Sequence, residues 1–67
     1  MAVLKIQSNA PEADERVLRK AMNYLGLDPA IALHGGYLHF TVPEELKHVA
    51  RKILKEEYLI TASELRI

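Results

Sequence analysis

The chain has 67 residues, 49% of them hydrophobic and 27% charged, with nine basic residues against nine acidic ones and no cysteine. That is the composition of one globular domain, residues 1–67, and it excludes a disordered chain, a disulfide framework and a thiolate metal site. A net charge of zero weighs against a dedicated nucleic-acid binder, which needs a basic excess to meet phosphates, and no stretch is apolar enough to span a membrane.

Val3 to Gln7 reads as a first strand, with Leu4 and Ile6 on one face and Val3, Lys5 and Gln7 on the other. Ser8 or Asn9 is placed to cap the helix that follows. Pro11 suits its first turn, and acidic residues lie at the positive end of its dipole. This helix is expected from about Pro11 to Leu25, burying Ala13, Val17, Leu18, Ala21, Met22 and Leu25. Gly26 then stands where a left-handed cap is needed, with Leu27 as its hydrophobic closer.

Asp28-Pro29 begins a turn into the most informative segment, Ile31 to Val42. Two alternating stretches flank Gly35-Gly36, the signature of a two-residue hairpin. That turn pairs His34 with Tyr37, Leu33 with Leu38, Ala32 with His39 and Ile31 with Phe40. Ile31, Leu33, Leu38, Phe40 and Val42 then face a core. Ala30, Ala32, His34, Tyr37, His39 and Thr41 face the other way.

Pro43-Glu44-Glu45 opens a second helix. Leu46, Val49, Ala50, Ile53 and Leu54 form its buried stripe, and it frays near Glu57. Leu59 to Ile67 reads as a last strand. Its expected phase puts Leu65 and Ile67 inward, with Glu64 and Arg66 outward.

The order strand, helix, strand, strand, helix, strand predicts an α+β domain, the ferredoxin-like split βαβ sandwich (β-α-β-β-α-β). Right-handed crossovers then give a four-stranded antiparallel sheet in the order 4-1-3-2, with two helices on one face and the other face open. That open face is the leading candidate site, an interface of Lys5, Gln7, Ala30, Ala32, His34, Tyr37, His39 and Thr41, beside Val3. A core this small supplies only about 3–5 kcal/mol, and without cysteine the common remaining staple is association. The expected partner is therefore a protein, either a second copy in a homodimer or homo-oligomer or the body of a larger complex. The exposed edge of the second strand offers another route to pairing.

A single-stranded nucleic-acid platform is the competing class. Tyr37 and His39 stand where such sheets stack bases, but Lys5 stands where the first strand would need an aromatic ring. His34 and His39 lie diagonally on one face, two ligands where a zinc site needs three or four. Lys47, Arg51 and Lys55, with Lys52 beside them, form a basic helix stripe. This is a solvated face or a candidate patch for an anionic partner. Ser8 and Ser63 have no histidine–carboxylate arrangement, and no helix follows Gly35-Gly36 to make a phosphate loop. No enzyme activity and no cofactor is expected. With no signal-peptide pattern at the N-terminus, the expected location is cytoplasmic.

The stretch Arg19-Lys20-Ala21-Met22-Asn23-Tyr24-Leu25-Gly26-Leu27-Asp28, followed by Gly36-Tyr37-Leu38-His39-Phe40, is similar to PurS, the small subunit of a purine-biosynthetic amidotransferase complex. The resemblance implies the same fold and a dimer within a larger assembly, hence a PurS-like small subunit as a further alternative. The chain departs from that family in its shorter connection into the first helix and in its shorter length. The shared features, a glycine cap and an alternating strand, are ones the fold itself uses.

Overall fold

Period-two alternation in Ala2–Gln7 and in Tyr37–Val42 makes the two central strands of the sheet. The computed structural model describes residues 1–65. It runs β1 (Ala2–Gln7), α1 (Pro11–Tyr24), β2 (Ile31–His34), β3 (Tyr37–Val42), a 3-10 turn (Glu44–Leu46), α2 (Lys47–Tyr58) and β4 (Ala62–Glu64). The sheet has the order β2-β3-β1-β4, with every neighbouring pair antiparallel. Counted from the β4 edge, that is 4-1-3-2. The result is a small α+β fold with a four-stranded antiparallel sheet and two helices.

The hairpin has the expected register: Ile31 opposite Phe40, Ala32 opposite His39, Leu33 opposite Leu38, His34 opposite Tyr37. Gly35 and Gly36 both take positive φ, 54° and 81°. That is the twist a two-residue hairpin needs, and glycine reaches it without strain. The turn is also tied to β1, since the Ser8 N–H donates to the Gly36 carbonyl at 2.9 Å.

Both helices pack on one side of the sheet. Leu18, Ala21 and Met22 of α1 and Ala50 and Leu54 of α2 meet Leu4, Ile6, Leu38, Phe40 and Val42 in one cluster. Burying a side chain of this size stabilises the fold by about 1.5–3 kcal/mol. α1 closes as expected, with Gly26 at φ 76° and the Leu27 N–H donating to the Met22 carbonyl at 2.9 Å. α2 closes the same way without a glycine. Leu59 takes φ 58°, and the Ile60 N–H donates to the Leu54 carbonyl at 2.9 Å.

Several expectations fail at the rims. Ala13, Leu33 and Val49, expected in the core, are all exposed. Periodicity gives the angle of a residue around its element, not how far the covering layer extends. Leu33 is on the edge strand, beside Pro11 and Arg16 at the start of α1. Neither Ser8 nor Asn9 caps α1. The N-cap is Ala10, with no side-chain bond, while the buried Ser8 hydroxyl donates to the Asp14 carboxylate one turn into the helix. The second helical segment begins as a 3-10 turn, and β2 begins at Ile31, leaving Ala30 exposed just before it.

The largest correction is β4. It starts at Ala62 rather than Leu59, and its phase is reversed. Glu64 pairs with Leu4 and Ala62 with Ile6, so both belong to the helix-covered side. Ser63 pairs with Lys5 on the open side. Leu65 follows beside Val3, its N–H on the Val3 carbonyl at 2.8 Å, and alternation places it on the open side rather than inward. The expected positions of Arg66 and Ile67 lie outside the described residues. Among the described residues, no helix is long and apolar enough to cross a membrane.

Candidate functional site: the open face of the sheet

Directly opposed residues of antiparallel strands share a face, so the register lays out the open side as rows. One row is Gln7, Tyr37 and His34. The next is Ser63, Lys5, His39 and Ala32. The third holds Val3 and Thr41, with Leu65 beside Val3. Seven of the eight expected interface residues are thereby brought together. The eighth, Ala30, precedes the strand. Ser63 and Leu65 join the face unforeseen, through the reversed phase of β4.

The middle of this surface is organised by its own side chains. The Lys5 ammonium lies 4.8 Å from the centre of the Tyr37 ring, a cation–π contact across diagonal neighbours. The His34 and His39 rings, also diagonal neighbours, have centres 5.4 Å apart and planes tilted by 32°. Val3, Lys5 and His39 are half-buried, while Gln7, Ala32, His34 and Thr41 are exposed. Tyr37 keeps 36% of its surface. Both helices lie on the other side of the sheet.

The basic stripe on α2 resolves into two unlike halves. Lys47 is held by carboxylates, with its ammonium 3.2 Å from Glu44 and 3.3 Å from Glu64. Hydrogen bonding to Glu44, and then to Glu64, raises its pKa above the usual 10.5. Arg51 donates from Nε to the Ala62 carbonyl at 3.1 Å. These two side chains stitch α2 to β4. Lys52 and Lys55 remain exposed, with His48 also exposed nearby. The patch sketched for an anionic partner is thus half engaged within the fold.

No protein-family model matches the chain, and no curated protein or solved structure shows significant similarity to it. The likeness to PurS is carried by the quoted residues alone.

Proposed function

We propose that this chain is a ferredoxin-like binding module without catalytic activity of its own, acting as a homodimer or as an accessory, regulatory or inhibitory subunit. It works by laying the open sheet face, extended by the free edge of β2, against a protein surface. The observation that carries this reading is the composition of the face. Val3, Leu65 and the Tyr37 ring give it apolar area, and Ala32 permits close approach. Lys5, Gln7, His34, His39, Thr41 and Ser63 supply donors and acceptors. Aromatic anchors among hydrogen-bonding side chains are what protein interfaces select. The small core, twelve buried hydrophobic residues among the described ones, supports the same reading, because so small a core gains stability by association.

Stacking of single-stranded nucleic acid fits the face less well. The Lys5 ammonium already occupies one side of the Tyr37 ring, so a base stacking there must displace it. Zero net charge adds little electrostatic attraction for phosphates.

The test combines Tyr37→Asp with His39→Asp, both on exposed or half-exposed positions. Mass in solution and co-purifying proteins are measured with a metal chelator present throughout, with and without nuclease. The expected result is a nuclease-resistant dimer or stoichiometric complex for the parent chain and a folded monomer for the double variant. An unchanged assembly in the variant overturns the sheet-face reading. Loss of all binding on nuclease treatment moves the assignment to nucleic acid.

A further inference from the structure

Both histidines of the hairpin are on strands locked by a two-residue turn. Their Cα positions are fixed by the His34–Tyr37 and Ala32–His39 pairs. Ala32, directly opposite His39, adds only a methyl group beside the histidine pair. Their ring centres come to 5.4 Å with a modest tilt. This separation has a chemical meaning. A zinc–imidazole nitrogen bond of about 2.0–2.1 Å puts the ring centre about 3.2 Å from the metal, so two imidazoles at the tetrahedral angle have centres about 5.2 Å apart. The hairpin already holds its two rings at nearly that spacing.

We propose that His34 and His39 form a two-histidine chelate for a divalent transition-metal ion of the zinc, nickel or copper class. Imidazole donors select these borderline ions over magnesium or calcium, which require oxygen ligands. The Lys5 ammonium, on the residue directly opposite His39, is held over the Tyr37 ring at 4.8 Å. Among the described residues no third histidine, cysteine or carboxylate joins the pair to make a group of three. The chelate is therefore open, with coordination positions left for water or for a donor from a molecule that covers the face. It goes beyond the interface reading and does not depend on it, because the two donors belong to one chain.

The experiment titrates zinc chloride, then nickel chloride, into the chelator-stripped protein at neutral pH. Heat and the imidazole proton resonances are followed together. The expected result is saturable binding that moves the His34 and His39 resonances and leaves His48, on α2, in place. His34→Ala and His39→Ala each reduce binding to background, and His48→Ala leaves it unchanged. Circular dichroism of each variant confirms that the fold is intact. Two outcomes overturn the chelate: no saturable binding to the parent chain, or binding retained by folded His34→Ala and His39→Ala. A ring contact that serves only packing gives the first of these. Since the free chain is titrated, failure here leaves the interface reading standing, and failure of the sheet-face variant leaves the chelate standing.

Discussion

Strand β3 belongs to two environments at once. Leu38, Phe40 and Val42 are no more than 1% exposed, under the helices. Tyr37, His39 and Thr41 alternate with them along the same backbone and face away. The hydrogen-bonding ladder is common to both sets, so it cannot account for the difference between them. The difference is the cover. One face has a helical layer that fits it, and the other has side chains that lean on one another. On the covered face, side chains carry the stability. On the open face, they are available for contact.

The sharpest way to break this contrast is Phe40→Ala. Phe40 is the largest fully buried side chain, central in the cluster with Leu4, Leu18 and Leu54. Removing an aromatic ring from such a site costs about 3–5 kcal/mol, a lost transfer term plus the cavity left behind. That is comparable to the whole stability expected of a core this size. The variant should be largely unfolded at 25 °C by circular dichroism. A folded variant with a similar denaturation midpoint would show that the helices do not carry the fold.

The covered face was largely legible in the sequence, and for a physical reason. Gly35-Gly36 specifies a turn whose length sets the register, and a one-residue slip would expose Phe40 and Leu38. The pattern therefore gives every residue of β2 and β3 its side. For β4 the reading gives the opposite side, because Ala62-Ser63-Glu64 has no strong apolar member to set its phase. Placing a glutamate inward also looks wrong until Lys47 is seen beside it, 17 residues earlier in the chain. Leu33, Val49 and Ala13 were misplaced because the extent of a packed layer is a tertiary property. The open face was legible as a set of positions. The Lys5–Tyr37 and His34–His39 contacts were not, since they depend on how side chains lean between rows.

Glu64 is the polar exception on the covered side, and its partner Lys47 gives an intermediate test. The Lys47 ammonium is favoured in the folded chain by two carboxylates, which raises its pKa above 10.5. A raised folded pKa means a contribution fully present below the unfolded value and lost as pH rises through the folded one. Replacing Lys47→Met should thus lower the denaturation midpoint by a constant amount from neutral pH to about 10. The gap between parent and variant should close at higher pH. The loss is smaller than for Phe40→Ala, because the pair is partly exposed and screened by salt. A gap unchanged through the alkaline range would mean that Lys47 contributes by packing its methylenes rather than by its charge.

The smallest expected effect is the most discriminating. His39→Ala changes the residue next to Phe40 on the same strand, but its side chain stands on the other face, opposite Ala32 and Lys5. Truncation there opens no enclosed cavity and leaves no buried polar atom alone, so stability should move by no more than about 0.5 kcal/mol. The same substitution is expected to eliminate metal binding. Near-silence in stability combined with loss of a ligand is the behaviour of a surface whose side chains are free for another molecule. A loss of more than about 1 kcal/mol would instead make the half-buried centre of the open face a second small core. The contrast between the two sides of β3 would then be one of degree. Docking against the face would have to work around Lys5, Tyr37 and His39 rather than through them.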